Sequence, residues 1–405
     1  MIKRILNVAH FNFDFFENRK LPSFFINISN TLNKNSIASS DFIKIPISEK
    51  NKLYRVYNIP PYFSLLLDYK KYRKIELPEI DKGLLVNLDT FSKMEDYINQ
   101  QFSSRKRKQI RSAIRRLETC FNVSYEFFYG EIGKAKYDSL LVYAKEFITR
   151  RFNQINKKHY QLSHWDLIKD NTFKLVREKK ASIFVIYDND RPINICINYH
   201  FDKTTCNVFA SYDIDYAKFS LGSIDLYKQL EWNINNDFII FDMAIGELNY
   251  KLKWCNNHYD LNHNIIIIKK SLISNLLGAL TYIYLRLKFY LYRFHYKNPN
   301  NKLTSFLNKS LKEREIGIVN ENDFKDYVIK LNPIENFNFD ENNVSKIDIE
   351  SDDYTFLRKP VYDFLHSSIS SKNQVSVYKT DIKERYIIKG EKSNQEIHCS
   401  RSAQV

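Results

Sequence analysis

A short segment past the middle of the chain combines groups that can transfer protons and bind anions. Residues 242–251 read D-M-A-I-G-E-L-N-Y-K, which predicts a strand, a glycine turn and a short helix. Because α/β folds commonly hold ligands beyond the carboxyl end of a strand, Tyr250 and Lys251 are candidate site residues. A tyrosine hydroxyl can protonate a leaving group, and a lysine can bind phosphate or carboxylate. The alternative is a capped amphipathic helix with Tyr250 facing the core.

A second segment suggests a phosphate site. Residues 219–225 read F-S-L-G-S-I-D and predict a helix that starts directly after Gly222. The first N–H groups of a helix lack partners, and a glycine there lets a phosphate approach the backbone. A lone glycine before a helix is usually only a turn, so that alternative stays open. The segment is neither a P-loop nor G-x-G-x-x-G, so kinases, NTPases and Rossmann dehydrogenases lose their main support.

The most basic run of the chain predicts an amphipathic helix. It reads R-K-R-K-Q-I-R-S-A-I-R-R over residues 105–116, and Arg107, Arg111 and Arg115 repeat at four-residue spacing. Nucleic-acid binding is one interpretation, and a solvated face is the commoner one. No helix-turn-helix, zinc-finger or RNP pattern accompanies the run, so we expect no DNA partner.

Length, charge and cysteine usage limit the class of protein. A chain of 405 residues fits two or three domains, and the net charge of +15 favours anionic partners without choosing between nucleic acid, phosphate-bearing molecules and acidic membranes. The five scattered cysteines form no C-x-x-C. They argue against a zinc site or disulfide framework and for a reducing compartment. From the cysteine pattern we expect no metal site. Because the start shows no signal-peptide pattern, we expect a cytoplasmic protein.

The order of predicted elements indicates the fold class. Hydrophobic periodicity predicts helices at 137–148 and 163–180, strands at 182–187, 193–199 and 206–212, a helix at 223–233, a strand at 238–243, a helix at 248–254 and a strand at 262–269. The three consecutive strands predict an antiparallel meander. The whole order predicts an α/β (α+β) fold with a mixed, mostly antiparallel sheet and helices on both faces.

Composition shifts suggest four regions. We expect an N-terminal subdomain over 1–100, the main domain over 101–270, an amphipathic apolar and basic helix over 271–297 and an accessory C-terminal extension over 298–405. The apolar run at 272–285 is shorter than the ~20 residues that a membrane span needs. A partly buried helix with a basic face and an interfacial helix, in peripheral contact with the inner membrane through 272–296, remain as alternatives.

These motifs, in this order, resemble the BioF2-like (CelD-type) branch of the GNAT acetyltransferase superfamily, which is related to the FemAB aminoacyl transferases. The family's basic S-x-K-x-R-x-x-I-R segment is matched loosely over 103–117, and its hairpin motif over 190–193 without the glycine. Its Y-D-x(6–7)-S-P-G loop is matched by Tyr212, Asp213, Ser220 and Gly222, with leucine replacing proline. Its D-F-x-x-G-x-E-x-Y-K motif is matched over 241–251, and the similarity covers roughly residues 83–270.

The resemblance implies acyl transfer from acetyl-CoA or another acyl-CoA to an amine or hydroxyl, without a covalent enzyme intermediate. The acceptor would be a sugar or peptide precursor in cell-envelope or exopolysaccharide biosynthesis. The donor would lie against a splayed strand at 206–212. The residues implied for donor binding are Phe209, Tyr212, Ser220, Gly222 and Ser223.

The resemblance also suggests catalytic and acceptor-binding residues. Tyr250 would protonate the leaving thiolate. Asp213 and His200, at strand ends, are candidate titratable groups, although each is more often structural. The residues expected to bind substrate are Lys251, Asp242, Glu247 and Arg111.

Two alternatives follow from departures from the family pattern. The glycine loop is thin compared with typical CoA-binding members, which admits a FemAB-like enzyme with aminoacyl-tRNA as donor. The basic helix would then contact RNA, and the first hundred residues would be a reduced first copy of the fold. The second alternative is a catalytically silent binding module that uses the same cleft.

Overall fold

The computed structural model describes residues 6–32, 36–37, 42–46, 52–154, 160–245, 249–297, 327–334, 344–391 and 393–401. The strands are β1 (Leu6–His10), β2 (Lys20–Pro22), β3 (Phe25–Asn30), β4 (Ser36–Ile37), β5 (Ile43–Ile45), β6 (Leu53–Ile59), β7 (Phe63–Leu67), β8 (Tyr72–Asn87), β9 (Val123–Phe128), β10 (Ala181–Asp188), β11 (Arg191–Phe201), β12 (Thr204–Tyr212), β13 (Ile240–Ile245), β14 (Asn257–Ile268), β15 (Tyr327–Ile334), β16 (Val344–Ile347), β17 (Ser376–Thr380), β18 (Arg385–Lys389) and β19 (Asn394–Arg401). The α-helices are α1 (Met94–Gln101), α2 (Ser104–Cys120), α3 (Lys134–Gln154), α4 (Trp165–Arg177), α5 (Leu221–Asn235), α6 (Asn249–Trp254), α7 (Leu272–Lys297) and α8 (Arg358–Ser368).

A nine-stranded sheet forms the centre of the molecule, in the order β1-β6-β14-β8-β13-β12-β11-β10-β9. Its neighbouring strands are antiparallel except for two parallel pairs, β1 with β6 and β12 with β13. Strands β10, β11 and β12 form the predicted antiparallel meander. The sheet is therefore mixed and mostly antiparallel, which confirms the predicted fold class.

Helices cover both faces of this sheet, and successive side chains of the buried strands face these two helix layers in turn. Ile195 and Ile197 of β11 join the apolar core in which α3 and α4 pack. Asn194 and Asn198, which point the other way, bond to side chains of α5. Successive strand residues face opposite sides, so one face is apolar, while the other combines apolar residues such as Phe184 with these polar ones.

The N-terminal residues complete this sheet. Strand β8 lies between β14 and β13, and β6 lies on the other side of β14. A three-stranded sheet of β3, β4 and β7 and a parallel pair of β2 and β5 lie nearby in the chain. The domain boundary predicted near residue 100 stays a prediction. Strands from both sides of that position, β8 and β13, pair in the central sheet.

The C-terminal residues form a second, antiparallel sheet in the order β15-β19-β18-β17-β16. Within this sheet β17 and β18 form an antiparallel hairpin. Tyr362 and Leu365 of α8 share a buried apolar cluster with Phe121 and Phe219 of the main domain. The C-terminal sheet is thus joined to the main domain through α8.

Helix α7 follows β14 as a single helix of 26 residues. Among the helices in the described ranges, none combines the length and the apolar character that crossing a membrane requires. Helix α4 begins at Trp165, after a 3₁₀ turn over Tyr160–His164, so the helix predicted from 163 starts two residues later.

Candidate active site

The two parallel strands at the centre of the sheet separate partway along their length. Strands β12 and β13 pair only over Thr204–Ile240, Thr205–Phe241 and Cys206–Asp242. Beyond this point β12 continues to Tyr212, while β13 turns toward β8 and pairs with it again at Ile245. Past these three pairs the two strands diverge, and a wedge opens between them. A wedge between two diverging strands can accept an extended ligand beside the strand backbone.

A bulge bends β12 at the start of the wedge. Asn198 of β11 pairs with Asn207, while Ile197 pairs with Phe209, so Val208 is an extra residue. Bulges of this kind increase the local twist and redirect the side chains that follow. The bulge therefore helps to turn β12 away from β13.

Lys251 lies at the base of the wedge. Its Nζ donates a hydrogen bond of 2.7 Å to the main-chain oxygen of Met243, the residue after the last β12–β13 pair. Burial lowers the pKa of Lys251, while the nearby charge of Asp242 acts in the opposite direction. A desolvated ammonium group at this position can stabilise negative charge that develops on a carbonyl oxygen in the wedge.

Asp242 shapes the wedge from below. Its carboxylate accepts hydrogen bonds from the hydroxyls of Tyr62 and Tyr259, the latter at 2.6 Å, and from the N–H of Ala244 at 2.6 Å. Ala244 has φ of 57°, a left-handed conformation at the irregularity between Asp242 and Ile245. Asp242 is buried and its partners come from the protein, so its geometry favours a role in holding this bend rather than in binding substrate.

The start of α5 faces open space. A Cβ built on Gly222 would meet no atom within 4 Å. Ser220 precedes the helix in a left-handed conformation with φ of 59°, and its side chain makes no capping hydrogen bond. The first N–H groups of a helix need partners, and here protein side chains do not crowd them. This geometry fits the predicted phosphate position at Ser220, Gly222 and Ser223.

A cationic cavity of about 710 Å³ adjoins the start of α5. It lies between α2, the turn before α5 and α8. The charged and polar residues that line it include Arg105, Lys106, Lys108, Arg116, Lys218, Ser220, Ser223 and His366. Its described lining contains no carboxylate. Five cations around one cavity create a positive potential that attracts polyanionic ligands.

His366 of α8 contributes its imidazole ring to this wall. Its Nε2 lies 3.1 Å from Nη1 of Arg116. Burial lowers the pKa of His366, and the charges of Arg116 and Lys218 lower it further. The sequence did not indicate this contribution, because α8 is remote in the chain from the family motifs.

Asp225, on the second turn of α5, is a buried carboxylate that sequence reasoning missed. Neutral groups donate to its oxygens: Asn194 Nδ2 at 2.9 Å, Cys196 Sγ at 3.0 Å and Gln229 Nε2 at 3.0 and 3.1 Å. Burial raises the pKa of Asp225 to about 6, against the opposing effect of these hydrogen bonds. A carboxyl whose pKa lies near neutral is suited to proton transfer.

A continuous polar seam runs from Asp225 between α5 and the sheet. Gln229 accepts a hydrogen bond of 2.7 Å from Asn198, which in turn accepts one of 2.8 Å from Asn207. Farther along, Asn233 accepts from the hydroxyl of Thr205. The signal was present in the sequence as polar residues at alternate positions of β11 and at every fourth position of α5.

Tyr250, a predicted catalytic residue, lies close enough to Asp225 for the two groups to interact electrostatically. Its side chain is 38% exposed, whereas Trp254 on the same helix is buried. Burial raises the pKa of Tyr250, and the charges of Asp225, Cys196 and Tyr212 raise it further. The hydroxyl is therefore protonated at neutral pH and can act as a proton donor.

Asp213 follows β12 and holds the turn that leads to α5. Arg150 and Arg191 donate to its two oxygens at 2.8 and 2.7 Å. Arg150 also bonds Asp215 at 2.9 Å. Since Asp213 is fully buried between two guanidinium groups, its geometry favours positioning of this turn over proton transfer.

His200 lies in the part of β11 that pairs with the start of β12, away from the wedge. Its ring nitrogens lie 2.8 Å from Ser182 Oγ and 3.0 Å from Thr205 Oγ1. Burial, helped by the charge of Arg19, lowers the pKa of His200 to about 3. A buried imidazole with this pKa and these partners is structural in character, so we leave it out of the proposed site.

The remaining predicted residues have separate positions. Phe209 is buried against Trp165 of α4, on the face of the sheet opposite α5, with ring centroids 5.4 Å apart. Arg111 pairs with Glu95 of α1 on the surface. Glu247 and the neighbouring Gly246 lie outside the described residues.

Comparisons with known proteins show which family the central part of the chain matches. Residues 104–252 match the acetyltransferase (GNAT) domain family. No curated protein matches the chain. Among solved structures it is similar to FemX (9% identity, TM-score 0.40, 57% of this chain and 75% of that chain) and to L-PGS from Bacillus licheniformis (14%, 0.35, 58% and 72%). A conserved protein of unknown function from Bacteroides thetaiotaomicron VPI-5482 is also similar (10%, 0.38, 55% and 71%).

The matched segment begins with α2 and extends into α6. It includes the meander, the wedge between β12 and β13, the start of α5 and Lys251. The chain therefore carries an acyltransferase domain of the GNAT family, which confirms the resemblance predicted from its motifs.

Proposed function

We propose that the protein transfers an acyl group from acyl-CoA to an amine or hydroxyl of a sugar or peptide precursor, in cell-envelope or exopolysaccharide biosynthesis. One observation carries the proposal: β12, which borders the wedge, leads in the chain to α5, whose start adjoins the cationic cavity. A CoA thioester has an extended amide arm and three phosphate groups. The wedge suits the arm, and the cavity suits the phosphates.

The open space over Gly222 lets a pyrophosphate reach the first N–H groups of α5. From there the arm would follow β12 into the wedge, and the thioester carbonyl would reach the level of Lys251. The Nζ group of Lys251, held on the Met243 oxygen at 2.7 Å, would then stabilise the oxyanion.

The proposed reaction is a direct displacement. The acceptor nitrogen or oxygen bonds to the carbonyl carbon, the carbon–sulfur bond breaks, and the Tyr250 hydroxyl protonates the leaving thiolate. The proton that the nucleophile releases passes through water to Asp225 in its ionised form, and Asp225 then returns a proton to the Tyr250 oxygen, which restores both groups. No covalent bond to the protein is required.

The donor class is tested by calorimetric titration of the protein with CoA and with dephospho-CoA, which lacks one phosphate. We expect CoA to bind more tightly, and Lys108→Ala to weaken CoA binding about threefold to tenfold, because this exposed lysine lines the cavity. Lys145→Ala, an exposed lysine on the opposite face of the sheet, is the matched control. Absence of CoA binding, or equal effects of both variants, would contradict the donor assignment.

The chemical step is tested with acetyl-CoA and an amino sugar such as glucosamine, by following thiol release. Tyr250→Phe should lower kcat about 10²-fold or more while the KM for acetyl-CoA changes little. Tight CoA binding without any thiol release, across amine and hydroxyl acceptors, would instead favour a silent binding module.

A second candidate donor is aminoacyl-tRNA. The exposed cations of α2, such as Arg105 and Lys108, favour it because they could contact an RNA backbone. Filter binding with tRNA over a range of salt concentrations distinguishes the two donors. Salt-sensitive tRNA binding with no CoA binding would select the tRNA donor.

A further inference from the structure

Helix α7 attaches to the sheet by one narrow side. Gly278 approaches β14 so closely that a Cβ there would lie 2.4 Å from Cδ1 of Ile267. Leu277 and Leu285 pack on the small apolar cluster that includes Leu53 and Ile267. This side fixes the orientation of the helix, so its opposite side must face outward.

The outward side of α7 is a continuous apolar surface. We name as the outer stripe the residues Leu272, Leu276, Leu280, Ile283, Leu287 and Tyr290, which recur at three- and four-residue spacing. Their side chains are 55% to 89% exposed. At about 100° per residue, all six fall within one narrow sector opposite Gly278. Large exposed apolar patches mark interaction surfaces.

Cations flank the outer stripe on both sides. At the same 100° per residue, Arg286 and Arg293 lie on one flank of the stripe and Lys288 lies on the other. Arg286 covers the ring of Tyr290, with its guanidinium 5.0 Å from the ring centre. The 26-residue helix contains no aspartate or glutamate. Apolar residues in the centre with basic residues at the margins are the arrangement of helices that lie in a membrane interface.

We propose that α7 docks the protein along the surface of an anionic lipid bilayer, with the outer stripe in the acyl-chain boundary and the flanking cations on lipid phosphates. Charge complementarity selects lipid over a second copy of this chain. If two α7 helices packed stripe to stripe, their basic flanks would face each other with no carboxylate on either helix to pair with them. The inference goes beyond acyl transfer and does not depend on it.

The test is cosedimentation of the full chain with vesicles of phosphatidylglycerol and phosphatidylcholine, compared with vesicles of phosphatidylcholine alone. We expect binding that requires the anionic lipid and weakens with salt. The double variant Leu280→Glu, Ile283→Glu should weaken binding at least about tenfold, because it places two charges in the outer stripe. The matched control is Val142→Glu, Leu167→Glu, which changes two exposed apolar residues on α3 and α4.

CoA titration separates this proposal from the proposed function, since the outer stripe lies outside the candidate site. CoA binding should be the same in both double variants and in the unmodified chain. Failure of the unmodified chain to bind anionic vesicles would overturn the proposal. So would a dimer in light scattering that Leu280→Glu, Ile283→Glu converts to monomer, since a second copy would then cover the stripe.

Discussion

Asp225 is held in the fold by neutral donors, and this gives its ionisation an energetic cost. Because burial raises its pKa to about 6 from an ordinary value of 3.8, the fold favours the protonated form. The stability that this side chain contributes is complete below about pH 4 and is lost as pH rises through 6. The contribution of Asp225 to the free energy of unfolding should therefore decrease as pH rises from about 4 through 6.

We predict that Asp225→Asn changes the pH dependence of stability. As pH rises from 4 to 7, the free energy of unfolding of the variant should increase by about 2 to 3 kcal/mol relative to that of the unmodified chain. Urea unfolding at several pH values measures this difference. Asp138→Asn, which removes an exposed partner of Lys134, is the control and should give a flat difference. Parallel curves for Asp225→Asn would refute the assignment.

Gly222 permits a test of donor binding that leaves the fold intact. Because a Cβ at this position meets open space, Gly222→Ala should keep or slightly raise the melting temperature. The added methyl group would stand between a phosphate and the helix N–H groups, so the dissociation constant for CoA should rise about fivefold or more.

Gly133→Ala is the matched control, since Gly133 precedes α3 as Gly222 starts α5 and also faces open space. It should leave CoA binding unchanged. Equal CoA affinities for both variants would argue against a phosphate at the start of α5.

At the residue level, the sequence predicted the side chains that stand in recognisable motifs, such as Tyr250 and Lys251. It missed Asp225, because an acidic residue in a predicted helix is usually solvent-facing. Only the packing of α5 on β11 shows that Asn194 and Cys196 lie opposite it. The family resemblance implies a donor-side position for Phe209 because it identifies the strand but not the face on which this side chain lies. The bulge at Val208 sets that face, and nothing in the sequence located it.

Strand β13 carries backbone strain at the point where it leaves β12. Ala244 adopts a left-handed conformation, which costs roughly 1 kcal/mol for a residue with a Cβ. The hydrogen bond from its N–H to Asp242 holds it there. The bend of this element thus depends on one buried carboxylate and its tyrosine partners.

We predict that Ala244→Gly stabilises the protein by about 1 kcal/mol, because glycine adopts this conformation freely. Ala210→Gly in the neighbouring strand β12 is the control. Ala210 is exposed and its φ is not positive, so this change should destabilise by ~0.5 to 1 kcal/mol. Chemical denaturation measures both effects. A loss of stability in Ala244→Gly would mean that the bend does not strain the backbone.

Elements were predictable where their hydrophobic period was strong. The meander of β10, β11 and β12 and the helices α2, α3 and α5 follow from period-two and helical patterns within the chain. The pairing of β8 with both β13 and β14 did not, because it joins residues more than 150 positions apart. Local patterning contains no information about such partners.

At the scale of the whole molecule, one cluster of charged side chains joins the C-terminal sheet to the acyltransferase domain. Glu350 accepts from Lys372 at 2.7 Å and from Tyr362 at 2.8 Å, and it pairs with Arg191 at 3.1 Å. Burial alone would raise the pKa of Glu350. The opposing effects outweigh burial and lower this pKa to about 2, and the largest of them are the hydrogen bond from Lys372 and the charge of that lysine. Through Arg191, the same cluster reaches Asp213.

We predict that Glu350→Gln destabilises the protein by about 1 to 3 kcal/mol at pH 7, because three cations lose their carboxylate partner. The contribution of Glu350 is present above pH 4.5 and is lost as pH falls toward 2, so the two proteins should converge in acid. Melting curves from pH 2 to 7 measure this. Glu391→Gln, at an exposed position, is the control.

The place of β8 in the central sheet has a consequence for synthesis of the protein. Both strands that flank it belong to segments translated much later, β13 from residue 240 and β14 from residue 257. At a ribosomal rate of 5–20 residues per second, β8 waits roughly 8 to 30 s after emerging before β13 exists. During that interval its buried residues Leu84 and Val86 lack their final neighbours. The nascent chain must therefore pass through a long exposed stage, and recruitment of chaperones should peak before residue 268 leaves the exit tunnel.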